Sequence, residues 1–310
     1  MEKNNTLINS FYERLKPVRK ACGFKMDGYF VWCGSVIKAE DNKYHMFASR
    51  WPISTGFPDG YRTDSEIVRA VSDNPEGPYK FKEVVIAGRG GDYWDAQMAH
   101  NPTIIKLENA YVLYYLGAKT SDSRTRTIGY AYSNSIEGPW QRIDNNISLM
   151  PDSNNPSVVA KPDGTLLLVF RYGDMKLGIA QAKSFDDEYI IVNEDVMPGK
   201  NLEDPFIFYN NDHYEMIVED NGGKVTGHER YGAHLISKDG ISDWTVNTPS
   251  IAYDHHIKWE DGTETVADRR ERPQLLFNQY NNPTHLFTGV KIGEQTFNIA
   301  QTIEDTIIRG

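Results

Sequence analysis

The chain reads as all-β, a five-bladed β-propeller with a short N-terminal helix. Three observations predict this. A hairpin-like unit recurs five times along the 310 residues. A further pair of strand-like runs follows four of the five units. No linker-like stretch rich in Pro, Gly and Ser divides the chain, as two stacked sandwich domains would require.

The hairpins are "GYFVWCGSVIKAEDNKYHMFASRW" from Gly28, "AHNPTIIKLENAYVLYYLGAK" from Ala99, "SNNPSVVAKPDGTLLLVFRYG" from Ser153, "LEDPFIFYNNDHYEMIVEDNG" from Leu202 and "RERPQLLFNQYNNPTHLFTGV" from Arg270. In each, two strand-like runs flank a polar turn: DNK, EN, PDG, NND or QYNNP. The added pairs are "SEIVRAVSDNPEGPYKFKEV", "RTIGYAYSNSIEGPWQRID", "KLGIAQAKSFDDEYIIV" and "YGAHLISKDGISDWTV". A unit therefore holds about four antiparallel strands. Pro102, Pro156, Pro205 and Pro273 mark the last four units at spacings of 54, 49 and 68 residues, somewhat above the usual blade length. The first unit has Cys33-Gly34 in place of an X-Pro pair. Ahead of the blades, Leu7, Ile8, Phe11 and Leu15 fall at helical spacing, and Pro17 ends the pattern. The expected organisation is a helical extension over residues 1–23 and a propeller over residues 24–310.

Composition narrows the function classes. The net charge is −10 and no Lys/Arg-rich run occurs, which argues against nucleic acid as a partner. No apolar stretch approaches the roughly 18 residues of a membrane span. The first 20 residues carry no apolar signal-peptide core, so a cytoplasmic protein is expected, or a periplasmic or secreted one whose leader has been removed. Cys22 and Cys33 make neither a disulfide framework nor a zinc site and are expected as buried free thiols. Aromatics are 12% of the chain, which suits packing on pleated sheets and also the flat faces of sugars.

The repeat locates a site. Proline cannot donate to a β-ladder and is tolerated at the first residue of a strand, so the X-Pro pairs are expected where each innermost strand begins. In a propeller those starts converge on one mouth of the central channel. The residues just before the prolines are His100-Asn101, Asn154-Asn155, Glu203-Asp204 and Glu271-Arg272, with Asp27 and Trp32 in the first unit. Asp27, Glu203 with Asp204, and Glu271 thus place carboxyl groups on three blades. Glycoside hydrolysis needs two carboxyl groups across the scissile bond, one protonated and one ionised. Crowding separates their pKa values, and a cation such as Arg272 holds one ionised. His100 and His228 are candidates for proton transfer or hydroxyl binding. Asp95 in "YWDAQMAHNP" is a substrate ligand or a loop cap. Trp32 and Trp51 are a sugar platform or structural. Arg50 and Arg171 follow second hairpin strands and are salt-bridge or substrate residues.

The pattern resembles the five-bladed propeller glycoside hydrolases of the family 43, 32 and 117 group. "IEGPW" and "PEGPY" look like that group's S-x-x-GPW blade element, and "SKDGISDW" looks like its S-x-DG-x-x-W element. "EDPFIFYNNDHYEMIVEDNGGKVTG" looks closest to family 117-like proteins, and "MDGYFVWCGS" and "RRERPQLLF" are similar to a large set of bacterial relatives. The resemblance runs from about Phe24 onwards. It implies Asp27 as general base, Asp204 as a second essential carboxylate and Glu271 as an acid candidate. It departs from family 43 in blade three, where Asn154 and Asn155 stand in place of a pKa-setting Asp, and this leaves Glu203 as an alternative acid. The family 117 N-terminal helical extension is shortened.

The expected function is carbohydrate metabolism: an exo-acting, inverting glycosidase releasing a terminal sugar from an oligosaccharide. The alternatives are a propeller phosphorylase, with Arg50, Arg171, Arg230, Arg269, Arg270 and Arg272 as phosphate ligands, and a non-catalytic binding scaffold. No cofactor is required, no metal ligands are assigned, and a channel-bound calcium or magnesium is an open option. Monomer and homodimer are both compatible with the sequence.

Overall fold

The computed structural model describes residues 10–304. Among the described residues, five blade sheets succeed one another, with a two-stranded hairpin between the last two. Blade one is β1 (Tyr29–Lys38), β2 (Tyr44–Pro52), β3 (Glu66–Ser72) and β4 (Lys80–Ile86). Blade two is β5 (Met98–Lys106), β6 (Tyr111–Ala118), β7 (Arg126–Ser133) and β8 (Gln141–Arg142). Blade three is β9 (Asn154–Ala160), β10 (Leu166–Tyr172), β11 (Lys176–Ala182) and β12 (Ile190–Asn193). Blade four is β13 (Leu202–Asn210), β14 (His213–Asp220), β15 (Tyr231–Ser237) and β16 (Thr245–Tyr253). A small hairpin, β17 (His256–Lys258) with β18 (Glu264–Val266), leads to blade five: β19 (Arg269–Phe277), β20 (Pro283–Ile292) and β21 (Gln295–Thr302).

All neighbours within a blade are antiparallel, so each blade is a meander. The first strands β1, β5, β9, β13 and β19 touch in a closed ring and form the channel wall. Strand alternation explains why both faces of a blade are apolar. In β10, Leu166, Leu168 and Phe170 face the blade-two core, while Leu167 and Val169 face the blade-four core. Similar clusters fill the other gaps. Most of the aromatic content lies in these inter-blade cores.

Within the described residues the N-terminal helix is shorter than expected. Leu7 and Ile8 lie outside the described residues, and the remainder of the expected helix forms only a single 3-10 turn, Tyr12–Arg14. Leu15 leaves helical geometry to bridge Ile303, Val18 bridges Trp259, and Phe24 bridges Asn298. Pairing along blade five competes with the helix and wins, with Phe11 buried against the same core. This strap covers the edge of the three-stranded fifth blade.

The prolines are a second correction. They do not begin strands but sit inside them, each at a β-bulge. Register breaks occur between Trp32 and Ser35, His100 and Thr103, Glu203 and Phe206, and Glu271 and Gln274. The β9–β10 register breaks opposite Asn155 in the same way. The residue before each Pro or Gly has a left-handed φ: Cys33 57°, Asn101 51°, Asn155 53°, Asp204 51° and Arg272 58°. A bulge needs no N–H from its proline, which is why Pro is tolerated there. Blade one uses Gly34 because a Cβ would lie 2.9 Å from the Asn298 side chain, whose Oδ1 accepts from the Gly34 N–H at 2.9 Å.

Candidate active site

The five left-handed residues turn their side chains into the channel and join into a belt. Cys33 Sγ donates to Asn101 Oδ1 at 2.7 Å. Asn101 Nδ2 donates to Asn155 Oδ1, and Asn155 Nδ2 donates to Asp204 Oδ1 at 2.6 Å. Arg272 extends the belt: its backbone N–H donates to Asp204 Oδ2 at 3.0 Å, and its Nη1 donates to Asp204 Oδ1 at 3.5 Å. Two residues further along β1, β5, β9 and β19, a second polar layer links blades. Ser35 donates to Gln274, Thr103 donates to the Pro156 carbonyl, and Ser157 accepts from Ile207 N.

Above the belt lies a cavity of about 230 Å³. Its walls include the residue preceding each belt member: Trp32, His100, Asn154, Glu203 and Glu271. One side is built by the segment between β2 and β3, which contributes Phe57, Pro58, Tyr61 and Arg62. That segment is anchored by Trp51, which stacks on Phe57 at 5.8 Å and donates from Nε1 to the Gly56 carbonyl. Tyr61 stacks on His100 at 4.6 Å.

The acids behave differently from surface carboxylates. Glu203 accepts from Asn221 Nδ2 at 2.8 Å and lies 3.5 Å from Arg171. Burial, then the charge of Asp204, raises its pKa. Glu271 lies 3.4 Å from Arg269 and 3.5 Å from Arg230. Burial and the charge of Asp204 nevertheless push it up to about 7. Behind them Glu219, opposite Glu203 in the β13–β14 ladder, is fully buried. Burial, then the charges of Glu271 and Asp204, raise it well above the carboxylate range. Carboxylate oxygens of Asp204, Glu219 and Glu271 lie within 4.8 Å of one another. His100 is held neutral: burial, then Arg272 and Arg126, lower it to about 3, and its Nδ1 pairs with Ser65 Oγ at 2.7 Å.

No family model matches the chain, and no curated protein matches its sequence. Solved structures do match. A thermostable family-43 glycoside hydrolase superposes with a TM-score of 0.66 at 11% identity, covering 93% of this chain and 96% of its own. A family 117 glycoside hydrolase of the marine bacterium Zobellia galactanivorans gives 0.66 at 14% identity, covering 94% and 90%. The catalytic domain of a Coprinopsis cinerea GH62 alpha-L-arabinofuranosidase gives 0.67 at 14% identity, covering 94% and 98%. The chain has their five-bladed propeller fold.

The propeller brings together Trp32, His100, Asn101, Asn155, Arg171, Glu203, Asp204, Glu271 and Arg272. Five expected residues lie away from the cavity. Asp27 is exposed in the turn before β1, because the bulge at Cys33, not the strand start, sets the channel position. Arg50 is buried against Glu66 at 2.7 Å and over the Tyr29 ring. Trp51 is fully covered and supports the β2–β3 segment. Asp95 is a buried anchor, accepting from Arg89 at 2.9 Å and Tyr115 at 2.7 Å. His228 is exposed and stacks on Tyr231. Arg270 of the phosphate set also points away, into bonds with Thr288, Gln301 and the Asp254 carbonyl. Of the two thiols, Cys33 is buried as expected, whereas Cys22 is only partly covered.

Phe57, Tyr61, Arg62, Arg126 and Glu219 were not among the residues expected from the sequence. The signal for them is topological. A strand that starts at the mouth is followed by one that ends there, so the connection from the second to the third strand of every blade also borders the mouth. Phe57, Tyr61, Arg62, Arg126 and Arg230 all come from these connections or their edges. In blade four Asp220 fixes the connection, accepting from the backbone N–H groups of Lys224, Val225 and Thr226.

Proposed function

We propose that the protein is a glycoside hydrolase, exo-acting and inverting, that removes a terminal sugar from an oligosaccharide. The observation that carries this reading is the three carboxyl groups of Glu203, Asp204 and Glu271 lining one cavity, with Glu271 raised to about 7. The fold likeness to family 43 and family 117 glycoside hydrolases supports it. Glu271 is the general acid: at neutral pH much of it holds a proton to give to the leaving oxygen. Glu203, fixed by Asn221 and beside Arg171, is the base that activates water. Asp204 sets the pKa of Glu271 and holds the belt; exposed Asp27 takes no part.

Inversion requires Glu203 and Glu271 to stand roughly 6.5–9.5 Å apart, with room for the attacking water between them. The cavity is smaller than the roughly 300–1,000 Å³ of ligand pockets in general, which suits one terminal unit better than a chain middle. Trp32, Phe57 and Tyr61 offer ring faces to the sugar, and Asn154 offers hydrogen bonds. No metal is required in this reading. Arg230 and Arg272 stand 3.5 Å from Glu271 and Asp204, where they supply the positive charge a divalent ion would bring.

A second reading, a glycoside phosphorylase, is favoured by Arg171, Arg230, Arg269 and Arg272 in the cavity wall. Aryl glycosides and plant or marine oligosaccharides, assayed with and without phosphate, test both. Phosphate-independent release of monosaccharide with an inverted anomeric proton, followed by NMR, is expected. Turnover only with phosphate would replace hydrolase by phosphorylase, and no turnover of any glycoside would sink both.

A further inference from the structure

The cavity wall carries six guanidinium groups, those of Arg62, Arg126, Arg171, Arg230, Arg269 and Arg272, in a chain of net charge −10. Neutral sugar hydroxyls do not need so much positive charge. Arg126 and Arg171 share one carboxylate, Asp152, at 2.7 and 3.2 Å. Arg272 is 2% exposed, yet its Nε and Nη2 find no hydrogen-bond partner among the described residues. The Nε groups of Arg171 and Arg230 are in the same condition. Arg230 Nε lies 3.2 Å from Glu219 Oε1, but both atoms lack a hydrogen bond, so their alignment is poor. Buried N–H groups without partners are rare, and the three arginines that carry them also line the cavity. Guanidinium forks match planar and tetrahedral oxyanions better than any other side chain. Burial shifts Glu219 and Glu271 toward their neutral forms, which weakens their compensation of this positive charge.

We infer that the cavity binds an oxyanion through Arg126, Arg171, Arg230 and Arg272, carried either by the substrate sugar as a uronate carboxylate or sulfate ester, or by free phosphate. The inference rests on the reading of this cavity as a glycoside site, and it deepens that reading to an acidic saccharide or an anionic co-substrate.

Calorimetric binding is the test, so the result is independent of turnover. Glucuronate, galacturonate, galactose 6-sulfate and inorganic phosphate are titrated against glucose and galactose, with wild type, Arg126→Gln, Arg171→Gln and Glu271→Gln. Anionic probes are expected to bind at least tenfold more tightly than neutral sugars. Each arginine variant is expected to lose about tenfold or more for anions while its melting temperature without ligand stays close to wild type. Glu271→Gln is expected to keep anion binding while losing catalysis, which separates this inference from the hydrolase reading. Binding of a uronate or sulfated sugar assigns the anion to the substrate, and binding of phosphate alone assigns it to a co-substrate. Equal affinity for neutral and anionic sugars, no binding of any probe, or anion binding indifferent to both arginine substitutions overturns the proposal. If one arginine variant fails to fold, the other decides.

Discussion

Glu271 is poised near neutrality because burial and the charge of Asp204 act in the same direction, and together they outweigh Arg230 and Arg269. The general-acid role then fixes a sign: activity falls as pH rises through about 7, when Glu271 loses its proton. Glu271→Gln is expected to lower kcat about 10²- to 10⁴-fold on an unactivated glycoside. Asp204→Asn removes the negative neighbour, so the alkaline limb of the pH–rate profile moves to lower pH. An unmoved limb in that variant would show that Asp204 does not set the acid. His100 is already neutral across this range and adds no limb of its own.

The bulge is the element that builds the site. Five copies of one backbone irregularity put five left-handed residues in a ring, and Asn155 donates to Asp204 through its side-chain amide. Asn155→Gly keeps the backbone conformation and loses the two belt bonds, so chemical unfolding should show about 1–3 kcal/mol of destabilisation. Asn155→Ala adds the left-handed cost and should be about 1 kcal/mol worse again. Equal stability of the two variants would show that the left-handed backbone costs nothing here. The X-Pro register was legible in the sequence and led to Glu203, Asp204, Glu271, Asn155 and Arg272. It misled at Asp27 because a pattern of residue types does not distinguish a strand start from a mid-strand bulge. Cys33 was the true member in blade one, hidden because its partner is Gly34. The residues of the β2–β3 segment carry no repeat at all; their place depends on contacts with Trp51 and His100 that only the folded chain makes.

Across the whole molecule, blades were legible because periodicity and hairpin turns recur, while the edge strap at residues 15–24 was not, since isolated bridges leave no pattern. The site makes a global demand on stability. Glu203, Glu219 and Glu271 are all raised above the ordinary value of 4.5. Their contribution is fully present below that value and is lost as pH rises through the folded values, about 7 for Glu271. Urea unfolding at pH 5 and pH 8 should show this loss, and Glu219→Gln should shrink it. The central claim is that Glu271 protonates a leaving sugar oxygen in this cavity. The direct measurement compares Glu271→Gln with wild type on an oligosaccharide and on the dinitrophenyl glycoside of the same sugar, whose leaving group needs no proton. Near-complete loss on the oligosaccharide is expected, with most of the dinitrophenyl activity retained. Equal loss on both substrates, or full activity on the oligosaccharide, would contradict the claim.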